Sequence, residues 1–561
     1  MVATVPADAS HATIRKTARP RSGRLWVFGL AAIAALVAVP VLALVWQAAH
    51  GSDGLWPHLM AYVLPQAVRQ TAVLLAGVGV LVTLIGTSTA WLVTAYDFPG
   101  RRALEWMLLL PLAVPTYIIA YAYLDILHPL GPVQGAIRAI LGYDSPRDFR
   151  LPDIRSMAGC ILLLGLVLYP YVYLTTRAMF LTQAANLVEA ARSLGVTRRG
   201  VFARVALPLA RPAIAVGVSL ALMEALNDIG AVEFLGIRTL TNSVYTTWVT
   251  RSDLPGAAQI ALVMLAVVVA LVVLERWARR RQRYWTSAQR ARPFARHRLG
   301  RGAGLAALGL GLVPVLLGFV FPALHLSIEA ARRLNSAGLS PKLAGEALNT
   351  VLLSAAAAAL VVALGLVVAF TGRALPSRLT GVLGRISAVG YAMPGTVVAI
   401  GILIPVAALD RSIDAAARDW FGVSTGLLMI GSGAALCYAY VVRFLTMGAG
   451  AVESGLTRLP RSFDHAARCL GQSAGGTLRH VHLPLSRTAM ATAALLVFVD
   501  CMKELPATLL LRPLNFETLS THLYGEAARG TYEEAAIAAL LIVAVGTLPV
   551  IALARIGARG R

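Results

Sequence analysis

Long apolar runs alternate with short polar segments along the whole chain. Each run holds about 20 residues with few charges, which is the length of α-helix that crosses the hydrocarbon core of a bilayer. The pattern therefore predicts an all-α polytopic membrane protein with about twelve transmembrane helices. The predicted spans are 26–48, 68–95, 104–127, 157–182, 209–229, 256–276, 303–328, 346–371, 383–408, 425–447, 486–503 and 533–555.

The composition supports a lipid bilayer as the surroundings of the chain. Of its 561 residues, 58% are hydrophobic and 14% are charged, and the mean hydropathy is +0.71. A soluble domain of this size would carry more charge and shorter apolar runs. The four cysteines have neither disulfide nor metal-ligand spacing, so we interpret them as small apolar residues. They are Cys160, Cys437, Cys469 and Cys501.

The net charge of +23 comes from arginine-rich segments between the apolar runs. Such segments stay on the cytoplasmic side of a membrane, which explains the charge without a nucleic acid partner. The N-terminal tail, a linker near the middle and the C-terminus are all basic. Because twelve spans return the chain to its starting side, we expect both termini in the cytoplasm. The first apolar run is long enough to span the bilayer, so we expect an uncleaved first helix rather than a signal peptide. The predicted outer segments are 128–156, 230–255, 329–345, 409–424 and 504–532.

The two halves of the chain are related. A shift of 276 residues places Glu189–Ala213 over His465–Ala489 with twelve of 25 positions identical, and a shift of 279 places Pro115 over Pro394. Two repeats of six spans each have the same orientation, so they are parallel copies about an axis normal to the membrane. The predicted limits are a tail at 1–25, a first half at 26–276, a basic cytoplasmic linker at 277–301 and a second half at 302–561.

The best-conserved part of the repeat lies on the predicted cytoplasmic side, between the fourth and fifth spans of each half. Alanines and Leu194 favour a short helix, Gly195 suits a left-handed helix end, and Leu207-Pro208 starts the next span. An amphipathic helix resting on anionic lipid is the alternative. A lipid-binding helix needs no fixed spacing of glycine and Leu-Pro, which favours a protein partner.

This spacing resembles the EAA loop of permease subunits of binding-protein-dependent ABC importers, and both halves resemble the type I permease fold. We name 187–208 the first EAA loop and 463–484 the second. The resemblance implies that each loop docks on a homodimeric ABC ATPase. The chain itself has no phosphate-binding G-x-x-x-x-G-K-[ST] motif, so we expect no cofactor here and ATP and Mg²⁺ in that partner. The implied coupling residues are Glu189, Ala190, Ala191, Arg192, Gly195, Leu207, Pro208, His465, Ala466, Ala467, Arg468, Gly471, Leu483 and Pro484.

The second loop departs from the family pattern. His465 stands where glutamate is expected, with Asp464 beside it. The two ATPase contacts are therefore either unequal, or Asp464 replaces the glutamate after a small rotation of the helix.

Two segments, Met223–Trp248 and Lys503–Tyr524, resemble ferric iron importer permeases. This resemblance implies that Fe³⁺ is delivered by a periplasmic substrate-binding protein. Ionisable residues deep in a span commonly line a path or pair with each other. The candidates for the translocation path are Glu224, Asn227, Asp228, Asp500, Lys503 and Glu504. Asp228 and Glu504 could instead be solvated at the outer interface. We expect no high-affinity metal site.

Other functions remain open at this stage. Permeases for thiamine, polyamines, sulfate or phosphonate share the EAA loop, and a secondary transporter would need no ATPase. A membrane enzyme is disfavoured because the ten histidines are scattered without a catalytic motif. The chain is therefore expected to be a transport permease of the inner membrane rather than an enzyme.

Overall fold

The computed structural model describes residues 21–52, 54–182, 191, 193–279 and 296–559. Apolar helices dominate these residues. The helices of the first half are α1 Arg21–Ala49, α2 Trp56–His58, α3 Leu64–Ala95, α4 Arg101–Met107, α5 Thr116–Ile126, α6 Pro132–Leu141, α7 Met157–Thr182, α8 Arg198–Val201, α9 Leu207–Asn227, α10 Gly230–Phe234, α11 Leu240–Tyr245 and α12 Leu254–Arg279.

The second half repeats this order. Its helices are α13 Arg301–Val315, α14 Phe321–Ala337, α15 Pro341–Ala374, α16 Arg378–Ser387, α17 Gly395–Phe421, α18 Leu428–Gly431, α19 Ala434–Thr457, α20 Arg461–Cys469, α21 Ala474–Thr477, α22 Leu483–Met502, α23 Pro506–Leu511, α24 Leu519–Arg529 and α25 Tyr532–Arg559. Short 3₁₀ turns lie at Leu110–Ala113 and Val389–Ala392, and π-helical turns at Leu59–Val63, Phe202–Ala206, Thr246–Thr250, Leu316–Val320 and Leu478–His482.

Among the described residues, eleven helical stretches are long and apolar enough to span a membrane, and a bent pair makes a twelfth. The number agrees with the sequence prediction, and the span predicted at 104–127 is a bent pair of helices rather than one continuous helix. Arg101–Ala113 and Thr116–Ile126 meet at 92°. The break falls at Pro115, whose ring cannot donate a backbone hydrogen bond and disfavours helical geometry in the residue before it.

The repeat of this break explains a second correction. The predicted span at 383–408 crosses Pro394, where α17 begins, and α17 continues to Phe421. The segment 409–424 is therefore mostly helix rather than loop, because its alanines favour helix despite its charges. Likewise, α14 extends through part of the predicted outer segment 329–345, to Ala337.

Equivalent contacts in the two halves support the repeat. The backbone N–H of Leu240 donates to the Thr71 hydroxyl at 3.0 Å. The backbone N–H of Leu519 donates to the Thr350 hydroxyl at 2.9 Å, with the same sequence separation. Hydroxyls that satisfy backbone groups away from water are common in membrane helices.

The first spanning helix of each half packs on the other half. In α1, the Trp26 ring lies 4.8 Å from that of Phe370, and the backbone oxygen of Leu36 accepts a 2.7 Å hydrogen bond from Tyr438. In return, the Tyr123 hydroxyl donates to the backbone oxygen of Leu317 at 2.8 Å. The two sequence halves are therefore interlocked by an exchange of helices, which hydropathy does not reveal.

A short two-stranded parallel sheet joins the region after α3 to the end of the linker. Tyr96 pairs with His297 and Asp97 with Arg298. The segment after α3 and the end of the linker therefore lie at the same end of the helix bundle.

Candidate translocation site and EAA loops

The two halves meet along a contact surface that we call the seam, and a cavity of about 240 Å³ lies there between them. It is bordered by the C-terminal ends of α9 and α22, the Pro115 break and α19. The six residues that the sequence singled out all line it, together with Arg443 and Tyr117. They are Glu224, Asn227, Asp228, Asp500, Lys503 and Glu504.

Asp228 and Glu504 occupy equivalent positions as helix caps. The Asp228 carboxylate accepts hydrogen bonds from the backbone N–H groups of Ala231 at 2.8 Å and Val232 at 3.3 Å. The Glu504 carboxylate accepts one from Ala507 N–H at 3.1 Å. Their side chains are buried, with exposed fractions of the residues of 7% and 4%. The alternative that these carboxylates are simply solvated at the interface therefore does not hold.

Arg443 joins the two halves at the cavity. Its Nη1 donates to Asn227 Oδ1 at 2.8 Å and lies 3.3 Å from Glu504 Oε1. Asn227 Oδ1 also accepts from the backbone N–H of Gly395 at 2.7 Å. Arg443 was not predicted from the sequence, although an arginine inside the predicted span 425–447 is costly in lipid and thus indicates a partner.

Lys503 is neutralised within its own half. Its Nζ lies 2.7 Å from Asp500 Oδ1, one helical turn earlier. Its backbone oxygen accepts a 3.4 Å hydrogen bond from Tyr117 of the other half. Across the cavity lining, four carboxylates face two cationic side chains, a formal excess of two negative charges.

The EAA loops have the predicted helix–turn–helix form where they are described. Gly195 and Gly471 have φ angles of +79° and +76°, the left-handed conformation that glycine adopts most readily. Leu207-Pro208 and Leu483-Pro484 begin α9 and α22 with proline in the first turn. Glu189, Ala190 and Arg192 lie outside the described residues.

The two loops present similar surfaces. Ala191 and Ala467 are buried, whereas Leu194 and Leu470, each just before the left-handed glycine, have exposed fractions of 84% and 81%. His465, Ala466 and Arg468 are exposed on α20. A large exposed leucine beside each loop suits contact with another protein.

Asp464 is held by its own half. One carboxylate oxygen accepts from Arg373 Nη2 at 2.8 Å, and the other lies 2.5 Å from His482 Nε2. Partial burial raises the pKa of Asp464, but the hydrogen bonds from Arg373 and His482 outweigh burial and hold this pKa below its usual value. In this conformation, Asp464 anchors α20 to α15 and to the π-helical turn before α22, instead of replacing the missing glutamate.

Comparison with known proteins identifies this architecture. The model of the family described as binding-protein-dependent transport system inner membrane component matches residues 82–284 and 361–560. The Fe(3+)-transport system permease protein FbpB 2 of Haemophilus influenzae is 23% identical over 87% of this chain and 89% of its own length. The molybdenum transport system permease protein ModB of Escherichia coli is 29% identical over 40% of this chain and 94% of its own. The sulfate permease CysT of Salmonella typhimurium is 30% identical over 34% of this chain and 67% of its own.

These matches agree with the repeated halves, the membrane-spanning helices and the residues at the seam. The first relative extends over both halves, and ModB corresponds to a single half. The all-α polytopic fold of a type I ABC permease, predicted from the sequence, is confirmed. The chain belongs to the family of binding-protein-dependent transport system inner membrane components and is a fused two-domain ABC permease of the inner membrane.

Proposed function

We propose that this permease imports ferric iron, delivered by a periplasmic binding protein, across the inner membrane. The charge of the seam cavity carries the proposal, because its lining has twice as many carboxylates as cationic side chains. The similarity to an Fe(3+)-transport permease over most of both chains supports it independently.

The chemistry of the cavity suits a hard cation in transit. Carboxylate oxygens are the ligands that such cations prefer. Asp500 and Glu504 are already paired with Lys503 and Arg443, and Asp228 caps a helix. An arriving cation must compete with these internal partners, so its residence is short. Tight coordination would trap the ion, and weak coordination permits release on the far side.

An oxyanion is the second candidate substrate. The similarity to molybdenum and sulfate permeases favours it, and Arg443 and Lys503 could face an anion. Both cations, however, lie against carboxylates, which leaves the cavity with its negative excess.

ATP hydrolysis, in this proposal, belongs to a separate homodimeric ATPase that also holds ATP and Mg²⁺. It would dock on the two EAA loops on the cytoplasmic side, where both termini would also lie. The exposed Leu194 and Leu470 supply apolar contact at equivalent places. After its glycine, each loop continues through a π-helical turn directly into a spanning helix, so a movement of the docked ATPase would reach that helix.

Transport in proteoliposomes tests the substrate. The permease is reconstituted with its ATPase and supplied in turn with radiolabelled iron, molybdate or sulfate on the corresponding binding protein. ATP-dependent accumulation of iron alone is the expected result. Accumulation of molybdate or sulfate without iron would contradict the ferric assignment, and accumulation without ATP would contradict an ABC permease.

A further inference from the structure

Three potential metal ligands converge at a second place on the seam. Asp125 ends α5 of the first half, and His325 and Glu329 lie on α14 of the second. One donor atom from each residue lies within 4.8 Å of the other two. The cluster is remote from the EAA loops, because Arg373 at one end of α15 contacts the second loop and α14 joins the other end of α15.

Helix α14 positions two of the three ligands. His325 and Glu329 are four residues apart, so they lie on the same face of α14. His325 Nε2 is 2.8 Å from Asp125 Oδ2. The exposed fractions of His325 and Glu329 are 9% and 5%. A metal at about 2.1 Å from each ligand needs donor atoms up to about 4.2 Å apart, so small side-chain rotations would bring the three atoms to coordination distance.

The Glu329 carboxylate remains able to bind a metal ion in this arrangement. Its Oε1 lies 2.7 Å from Arg332, but the Arg332 side chain is 65% exposed and such a pair is weak. Among the described residues, no hydrogen bond reaches Glu329 Oε2. The cluster borders a cavity of about 690 Å³ that Arg332, Glu533 and Glu534 also line, and Glu534 is paired with Arg333 at 3.0 Å. The lining carries more carboxylates than cationic side chains, so a cation has both an approach route and an attractive charge.

We propose that Asp125, His325 and Glu329 bind one divalent transition-metal cation between the two halves. One imidazole and two carboxylates form a mixed ligand set, which suits Zn²⁺ and similar ions better than Ca²⁺ or Mg²⁺. Water within the adjoining cavity completes the coordination. The bound ion links α5 to α14, and hence one half to the other. The proposal does not depend on the transported substrate.

Zn²⁺ titration of the purified permease–ATPase complex tests this site. The complex carries no polyhistidine tag, is freed of metal by chelation, and is titrated calorimetrically. One Zn²⁺ per permease is expected. Loss of an outer partner of a metal ligand already weakens binding roughly 10–100-fold, so Glu329→Gln and His325→Gln should weaken it at least about 100-fold. Co²⁺ in place of Zn²⁺ should give a visible absorption band that changes in His325→Gln.

The chain offers a matched control. His522 Nδ1 lies 3.1 Å from Glu346 Oε2, a second largely buried histidine–carboxylate pair that is not part of the cluster. His522→Gln should retain full Zn²⁺ binding. The proposal fails if the wild type shows no saturable binding, if His325→Gln binds as the wild type does, or if His522→Gln loses binding equally. If His325→Gln does not assemble with the ATPase, Asp125→Asn, at a partly exposed helix end, makes the same comparison.

Discussion

Arg443 places a positive charge where lipid and protein both disfavour one. A single nitrogen of this side chain contacts Asn227 of one half and Glu504 of the other. A buried ion pair is often no more stabilising than apolar residues of the same size, yet loss of one partner leaves an uncompensated charge. Arg443 therefore matters for the integrity of the seam as well as for cavity charge.

We predict that Arg443→Met destabilises the permease by about 3–5 kcal/mol, measured by unfolding in detergent. Adding Glu504→Gln to this variant should restore part of the loss, because the unpaired carboxylate is removed. Arg418 provides the control, since its pair with Asp414 is 62% exposed on the arginine side and Arg418→Met should change stability by no more than about 1 kcal/mol. Equal effects at the two arginines would contradict the assigned role.

Asp464 predicts a dependence on pH. Its folded-state pKa is below the usual value, so its ionised form stabilises the fold above the unfolded pKa of about 3.9. This contribution is lost as pH falls through the lower folded pKa. The melting temperature of the wild type should thus exceed that of Asp464→Asn at neutral pH, and the difference should shrink below about pH 4. A difference that is constant down to pH 2 would exclude the assigned ion pair.

At the scale of the element, the glycine turn of each EAA loop is the feature most dependent on residue type. Gly471 has a positive φ, and an alanine there costs about 1–2 kcal/mol. We predict that Gly471→Ala lowers ATPase activity stimulated by the loaded binding protein. Gly475, in α21 with open space around it, is the control, and Gly475→Ala should preserve coupling. Equal losses would show that the loop tolerates no added methyl group, whatever its φ.

The loops also differ at the first position of the EAA pattern, which is Glu189 in the first loop and His465 in the second. Because Asp464 is held by Arg373 and His482, we expect the first loop to depend more on its acid than the second depends on His465. Glu189→Lys should reduce recovery of the ATPase in pull-down more than His465→Ala. Equal reductions would count against unequal contacts.

Hydropathy predicted which segments of the chain form helices, but it did not predict where those helices begin and end. An apolar window detects residues 104–127 and 383–408 as continuous, yet both contain a proline at which the direction changes. The charged end of α17 is also held to the next helix, because Asp410 accepts backbone hydrogen bonds from Met429 at 2.9 Å and Ile430 at 3.1 Å in α18. Such contacts between elements cannot be read from a local hydropathy pattern.

At the scale of the whole molecule, the sequence predicted which residues gather at the seam but not how the halves interlock. The 276-residue repeat brought Asn227 and Asp228 into register with Lys503 and Glu504, and a shared axis brings equivalent positions together. Nothing in the apolar pattern of α1 says that Trp26 contacts Phe370. Hydropathy does not distinguish the apolar surfaces of the two halves, so it does not predict which of them α1 packs against.

Because each half packs its first spanning helix on the other half, we predict that a permease cut within residues 280–295 stays assembled. Co-expressed fragments should co-purify through a tag on one fragment only, because α1 packs on the second half and α14 on the first. Removal of residues 1–49 from the first fragment should lower recovery of the second. Recovery that is unchanged without α1, or absent for the intact fragments, would contradict this reading of the interlock.

The anchor of α20 also has a consequence for how such a chain evolves. At the positions equivalent to Arg373, Asp464 and His482, the first half has Thr94, Val188 and Ala206. A permease assembled from two identical gene products would carry this anchor twice or not at all. In a fused gene, one half can acquire such an anchor by mutation while the other half keeps a different sequence. Fusion therefore fixes which half of the transporter carries the anchored loop and which half does not.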